Sequence, residues 1–391
     1  MIPAAGIYIH LPFCSSICPY CDFAVVKGSC GIRAHFVESL TEEIRICAGS
    51  VWPAFVGTDS EPSFDSIFLG GGTPSIIHTD QLHNILDQLA ESFDIVGDPW
   101  IAMEVNPEDV TPAQLSDWRE LGVSYLSLGV QSFDARSLEF LGRQHTPGQA
   151  RESVGMAMAA GFPTVSIDLI YCLPGQTQGS WRSELSCALD TGPDHLSCYQ
   201  LTIEPGTEFG VRKRQGRLSE ISVDQQAALF FETHSYLESE GYTAYEVSNF
   251  ASDPRHESRH NQKYWNHQPY LGLGPSAHSF SGRSRWWNHP GLKHYLAAVD
   301  LCHRPIAENE TLDSWQICLE AIALGLRTPR GIDLQDLPGD KGPTIWRRNQ
   351  ALLHRWVESG LIDADPPTFR PTLKGMALAD TLSRELDIPM D

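Results

Sequence analysis

Three thiols stand within eight residues near the start of the chain: Cys14, Cys18 and Cys21, at spacing C-x3-C-x2-C, followed by Asp22-Phe23 rather than by a fourth cysteine. Three kinds of chemistry use such a cluster. Structural zinc takes four ligands, usually from two separated C-x2-C-like pairs. No second pair exists here, although Cys30 or a distant histidine would complete a set. Thioredoxin-like redox chemistry needs one C-x2-C, which Cys18 and Cys21 supply. An iron–sulfur cluster is held by thiolates on its irons, and three thiolates on a four-iron cluster leave one iron open to a non-protein ligand. The remaining cysteines (Cys30, Cys47, Cys172, Cys187, Cys198, Cys302 and Cys318) are scattered and read as small core residues.

The elements that must position these thiols follow a repeated β-α pattern. Strands are expected at Ile7–Phe13, Ser66–Leu69, Trp100–Val105, Tyr125–Val130, Val165–Ile170 and His195–Ile203, with helices between them at Ile32–Cys47, Thr79–Phe93, Ala113–Leu121, Gly148–Ala160 and Trp181–Leu189. Such units build a parallel sheet, open or closed into a barrel. Cys14 follows the first strand, Gly70-Gly71-Gly72-Thr73-Pro74-Ser75 closes the second, Glu104-Val105-Asn106-Pro107 ends the third, Gln131-Ser132-Phe133-Asp134 the fourth, and Asp168 lies late in the fifth. The polar and glycine-rich residues therefore gather at C-terminal strand ends, where parallel α/β folds build their sites.

The cysteine spacing, with an aromatic before the last Cys and GGGTPS at the second strand end, resembles the radical S-adenosylmethionine (radical SAM) superfamily. YIHLPFC, GGGTPS, EVNP, GVQSFD, LGR and SIDLIYCLPGQT together resemble its branch containing anaerobic coproporphyrinogen dehydrogenase and the HemW-type heme chaperones, over almost the whole chain. The resemblance implies an α/β fold, a partial (β/α)6-type TIM barrel with a small, mainly helical, winged-helix-like C-terminal domain. It also implies a [4Fe–4S] cluster on Cys14, Cys18 and Cys21 whose open iron is chelated by the amino and carboxylate groups of S-adenosylmethionine. Tyr8 would lie near the cluster, and Gly71, Gly72 and Thr73 would contact the methionine part. Glu104 would bind a ribose or amino group, and Gln131, Arg143 and Asp168 would complete the nucleoside pocket. The chemistry agrees, since carboxylates suit hydroxyls and an ammonium, and a guanidinium suits a carboxylate.

Two functions from different classes remain: oxidative decarboxylation of coproporphyrinogen III, and carriage of heme to client hemoproteins. The dehydrogenase pattern has a further cysteine two residues after the third, where this chain has Phe23. It also has an N-terminal extension, whereas the first strand here is expected from about Gly6. His260-Asn261-Gln262-Lys263-Tyr264-Trp265 matches the HNxxYW signature of the heme-chaperone subgroup. All three favour the carrier. An imidazole is a good axial ligand for heme iron, and Tyr264 and Trp265 would line an apolar porphyrin face. His260 has an alternative role in holding a loop by hydrogen bonding, in which case a cysteine or His267 would be the ligand.

Two motifs in this region are expected to be decoys. His256-Glu257-Ser258-Arg259-His260 reads H-E-x-x-H, but Pro254 precedes it and its flanks lack the apolar stripe of a stable helix. Gly272-Leu273-Gly274-Pro275-Ser276-Ala277 fits G-x-G-x-x-A, but Pro275 removes an amide a phosphate loop would use. It is expected to form a loop at the barrel rim.

The later chain suggests a helix at Val223–Ser239, a strand near Ala244–Phe250, and a stretch rich in His, Asn, Trp and Tyr over Arg255–Asn288. Short helices at Leu312–Leu326, Ile345–Ser359 and Thr372–Leu386 suggest a separate unit, dividing the chain into 1–306 and 307–391. With 28 basic against 49 acidic residues, a net charge of −21, nucleic acid is not the expected partner, and the C-terminal unit is expected to cover the barrel's open face rather than bind DNA. No run approaches the ~20 apolar residues that span a bilayer, and no signal peptide is evident, so a cytoplasmic protein is expected. The expected partners are heme, S-adenosylmethionine and client hemoproteins, with heme binding to a monomer or a homodimer both open.

Overall fold

The computed structural model describes residues 4–48, 62–338 and 341–389. Six parallel strands run side by side in chain order: β1 (Ala5–Leu11), β2 (Ser63–Gly71), β3 (Asp94–Val105), β4 (Tyr125–Gln131), β5 (Thr164–Tyr171) and β6 (His195–Gln200). Helices α1 (Cys30–Ala48), α2 (Thr79–Ser92), α3 (Pro112–Glu120), α4 (Ala135–Phe140), α5 (Pro147–Ala159) and α6 (Gln178–Leu189) connect them. Local sequence starts these helices well. Thr111, Thr146 and Thr177 each cap with a side-chain oxygen, and the first two are followed directly by proline, whose fixed φ suits a first turn.

Period-two alternation sorts the strands' side chains. Ile7, Ile9 and Leu11 are buried outward in one core with Phe36, Leu40 and Ile44 of α1, while Tyr8 turns inward toward Phe68 and His260. The barrel does not close. β6 takes an antiparallel neighbour, β8 (Asn249–Ala251), and β1 takes a parallel one, β9 (Tyr270–Leu273). Beyond β9 the sheet continues through β10 (His278–Phe280), β11 (Ser284–Asn288) and β12 (Ile306–Thr311). The fold is a partial (β/α)6 barrel with antiparallel wings.

Three expectations change in detail. The strand near Ala244–Phe250 divides into β7 (Thr243–Ala244) and β8, because the Glu246 carboxylate turns back to accept the Ser248 N–H at 3.0 Å. The sixth strand stops at Gln200. The aromatic stretch 255–288 is built of α9 (Arg259–Trp265) and three strands that widen the sheet.

After α7 (Glu208–Arg214), α8 (Val223–Ser239) and α10 (Leu292–Asp300), the chain ends in a second core of Cys318, Ile322, Leu353, Trp356 and Phe369 with their neighbours. It is formed by α11 (Ser314–Gly325), α12 (Gly342–Glu358), α13 (Leu373–Ala377), α14 (Ala379–Glu385) and a small sheet of β13 (Ile332–Asp333), β14 (Ile362–Asp365) and β15 (Thr368–Pro371). The expected helix Thr372–Leu386 breaks at Leu378 into α13 and α14. Because β12 still pairs with β11, the large sheet runs on to Thr311. No helix among the described residues is long and apolar enough to cross a membrane.

Candidate functional site

The C-terminal ends of the parallel strands surround a cavity of about 410 Å³. Cys14, Cys18, Cys21, Gly71, Gly72, Thr73, Glu104, Gln131, Arg143 and Asp168 all line it. The thiols are mutual electrostatic neighbours: the charge of Cys18 acts on Cys14, and the charges of both act on Cys21. Burial pushes the Cys21 thiol up to about 11 and raises Cys14 as well. Such thiols are poor nucleophiles by themselves and ligate once a metal takes the proton's place.

The loop that carries them is pinned to β2. Gly72 N–H donates to Leu11 O and Thr73 N–H to Phe13 O, both at 2.8 Å. A Cβ at Gly72 would lie 2.5 Å from Phe13 O and 2.8 Å from Leu11 O, so only glycine admits this approach. A donor relay then ends on two of the sulfurs. Arg143 Nη2 donates to Asn106 Oδ1 at 2.6 Å, Asn106 Nδ2 to Thr73 Oγ1 at 3.2 Å, and Thr73 Oγ1 to Cys14 Sγ at 3.6 Å. Arg143 Nη1 itself donates to Cys18 Sγ at 3.6 Å, and its Nη2 also reaches Gly129 O. Donors of this kind favour the thiolate form and tune a bound metal centre. Nothing in the linear sequence marks Asn106 beyond its place in EVNP, because its role depends on a contact 37 residues away.

Two carboxylates, Glu104 and Asp168, line the same cavity. Burial raises Glu104 to about 8, with the charge of Asp168 adding and the Gly71 N–H, which donates to it at 3.0 Å, opposing. Burial raises Asp168 to about 6 against hydrogen bonds from Ser197 and Ser127 and the charge of Arg143. A carboxyl held as high as Glu104 lacks a cation of its own. Arg143, in the same wall, has its buried Nε without an acceptor among the described residues. Glu104 without a cation, beside an Arg143 Nε with nothing to donate to, is what a zwitterionic ligand would complete. Gln131, at φ 67°, holds the left-handed conformation that a non-glycine residue adopts only when its surroundings impose it.

These residues fit a site-differentiated [4Fe–4S] cluster with an amino-acid ligand on its open iron. No group of three or more His, Cys, Asp or Glu side chains among the described residues could hold a single metal ion. A cluster does not ask for one, because its thiolates bind separate irons.

The other expected residues lie deeper. Tyr8 faces a second cavity of about 350 Å³, its hydroxyl 3.1 Å from His10 Nδ1, and Glu104 is near enough to act on its charge. His260 is buried, with Nδ1 3.3 Å from Ser66 Oγ and Nε2 2.8 Å from Tyr264 Oη, and burial lowers it to about 3. Both of its nitrogens are occupied by the protein. Tyr264 lines the second cavity, whereas Trp265 lies outside its wall. His267 is 3.0 Å from Glu320 of α11. The H-E-x-x-H pair separates: His256 sits in a short 3-10 turn and meets Thr164 Oγ1 at 2.8 Å, while His260 opens α9 and meets Ser66. In the glycine motif, Gly274 N–H donates to the buried Glu43 carboxylate at 2.8 Å.

Residues 8–185 match the Radical SAM superfamily and residues 312–378 the HemN C-terminal domain. A protein of Mycobacterium tuberculosis named heme chaperone HemW is 33% identical over 97% of this chain and 94% of its own length. One of the same name from Bacillus subtilis is 31% identical over 95% and 96%. Among solved structures, coproporphyrinogen III oxidase of Escherichia coli, a radical SAM enzyme, superposes with a TM-score of 0.83 at 23% identity, covering 98% of this chain and 90% of that one; the likeness is one of fold.

Proposed function

Since the chain belongs to the HemW family of radical SAM proteins, we propose that it is a heme chaperone that holds a [4Fe–4S] cluster and S-adenosylmethionine in the barrel mouth and delivers heme to client hemoproteins. The observation that carries the cofactor half is the single cavity joining Cys14, Cys18 and Cys21 to Gly71, Gly72, Thr73, Glu104 and Asp168. When bound, the cluster supplies an electron and an open coordination site. The chain's own residues do the rest. Cys14, Cys18 and Cys21 ligate three irons, with Thr73 and Arg143 donating to two of the sulfurs. Glu104 takes a cationic or hydroxyl group of the ligand, Arg143 its carboxylate, and Gln131 and Asp168 the nucleoside.

What favours carrier over enzyme is position 23. The dehydrogenase pattern puts a thiol there; this chain puts Phe23, 61% exposed at the rim of the cofactor cavity. An exposed aromatic offers a porphyrin face a surface and offers a reaction nothing. The test is anaerobic reconstitution followed by two parallel assays. The protein is expected to take up about four irons and bind heme while leaving coproporphyrinogen unconverted. Robust decarboxylation would overturn the carrier reading. Replacing Cys14, Cys18 and Cys21 together by alanine is expected to abolish iron uptake, whereas replacing the exposed Cys30 and Cys302 is not.

A further inference from the structure

We infer that His278, rather than the signature histidine His260, supplies the imidazole ligand to heme iron, in a cavity walled by Tyr8, Phe23, Tyr264 and Tyr270; the inference rests on the heme-carrier reading above. The argument starts from register. In the parallel pairing of β1 with β9, Tyr8 lies opposite Gly272. In the antiparallel pairing of β9 with β10, Phe280 lies opposite Tyr270, which sets His278 opposite Gly272 two residues along each strand. His278 in turn pairs with Trp287 of β11. Residues directly across neighbouring strands share a face, so Tyr8, Gly272, His278 and Trp287 form one row. Gly272 leaves no gap in it, since a Cβ there would fall 2.1 Å from the His278 carbonyl oxygen, and glycine is what lets β10 lie so close to β9. Tyr8 and His278 border a cavity of about 350 Å³, whose other walls include Phe23, Tyr264 and Tyr270.

The histidines on this cavity differ in availability. His10 is buried, and since a carbonyl only accepts, its Nε2 donates to Ala24 O at 3.0 Å, leaving Nδ1 to the Tyr8 hydroxyl. His260 lies behind the wall with both nitrogens engaged. His278 is exposed, its ring stacked on Trp287 with centroids 5.4 Å apart, and it takes no side-chain hydrogen bond among the described residues. A heme ligand needs a free nitrogen on a ring held in place, and stacking holds this ring without using either nitrogen. The walls suit the porphyrin, being largely aromatic. Asp22 and Phe23 line both this cavity and the cofactor cavity, so the residue at the missing-cysteine position is the partition between them.

His260 then has a different task. Its Nε2 lies 2.8 Å from Tyr264 Oη, fixing a ring that forms part of the heme wall. A Cβ at Gly6 would fall 2.9 Å from His260 Nδ1, so α9 rests directly on β1. His260 is a positioning residue, and His278 is the ligand.

The test is titration of the full chain with ferric heme, read by Soret absorption and by EPR or resonance Raman, for wild type, His278→Ala and His260→Gln, each checked by a thermal melt. The wild type is expected to show imidazole ligation. His278→Ala is expected to lose that signature, to bind heme about tenfold or more weakly, and to regain the signature when free imidazole is added. His260→Gln is expected to keep the ligation signature at reduced affinity. Wild-type spectrum and affinity in His278→Ala would overturn the assignment while leaving the carrier reading intact, as would ligation lost in a folded His260→Gln alone. Failure of the wild type to bind heme would overturn the carrier reading itself, and the assignment with it.

Discussion

Replacing Glu104 by glutamine should make the ligand-free protein more stable and its affinity for S-adenosylmethionine poorer. The side chains are nearly isosteric, and a glutamine oxygen can still accept the Gly71 N–H that Glu104 accepts at 3.0 Å. What changes is the charge. Burial lifts this carboxyl from an ordinary 4.5 to about 8. Because the folded value lies above the unfolded one, folding is favoured at acid pH. Stability falls as pH rises from about 4.5 to about 8, while the unfolded chain sheds the proton and the fold retains it. At pH 7 that difference costs about 2–3 kcal/mol, the lower end reflecting water in the cavity, and at pH 5 under about 1 kcal/mol. Glutamine removes the slope. Thermal unfolding of ligand-free wild type and Glu104→Gln between pH 5 and 9 should therefore give melting points that converge at pH 5 and separate toward pH 8, the variant higher. With the cluster in place, calorimetric titration with S-adenosylmethionine should show the reverse order, because a bound cation returns to the carboxylate what the fold withholds; a loss of about tenfold or more is expected. Parallel melting curves across the pH range would show that Glu104 ionises in the empty cavity without cost. That result would falsify the reasoning.

The plan of the barrel was legible because parallel β-α units announce themselves by hydrophobic period, and functional side chains fall at strand ends by geometry. Ten of the residues named from sequence line one cavity for that reason. What could not be read were contacts whose partners are distant in sequence. Asn106 matters because it lies between Arg143 and Thr73. Gly272 reads in sequence as part of a phosphate-loop decoy, and its meaning depends on the His278 backbone, whose carbonyl oxygen would lie 2.1 Å from a Cβ there. The aromatic stretch 255–288 has no long period because its strands are three to five residues each, too short for alternation to show. His260 was the instructive case. The motif identified a residue of consequence, but burial and two hydrogen-bond partners, invisible in a linear pattern, separate holding a wall from binding a metal.

Substitutions at two further positions probe the scaffold. Gly72→Ala should lower iron uptake with little change in overall helix content by circular dichroism, since its Cβ would fall 2.5 Å from Phe13 O and push the cysteine loop off β2; full cluster loading would refute the pinning role. Glu43→Ala should be strongly destabilising. Glu43 is buried in α1 and accepts from Gly274 N–H at 2.8 Å, Asn288 Nδ2 at 2.6 Å and the Tyr295 hydroxyl at 2.6 Å, tying the first helix to the loop after β9, to β11 and to α10. Its removal leaves three donors in a dry interior, each costing about 1–3 kcal/mol, so a loss of more than about 3 kcal/mol is expected in chemical unfolding. Glu43→Gln separates geometry from charge. Burial raises this carboxyl to about 7, so near neutral pH the fold holds it about half as the acid, and glutamine replaces a partly neutral acceptor by a neutral one. The Tyr295 and Gly274 contacts survive on the amide oxygen, while the Asn288 amide then faces an NH2 that cannot accept. Glu43→Gln should therefore cost less than Glu43→Ala by about the value of the two retained hydrogen bonds. Equal losses for the two variants would mean that the space Glu43 fills, and not its hydrogen bonding, joins the wing of the sheet to the barrel.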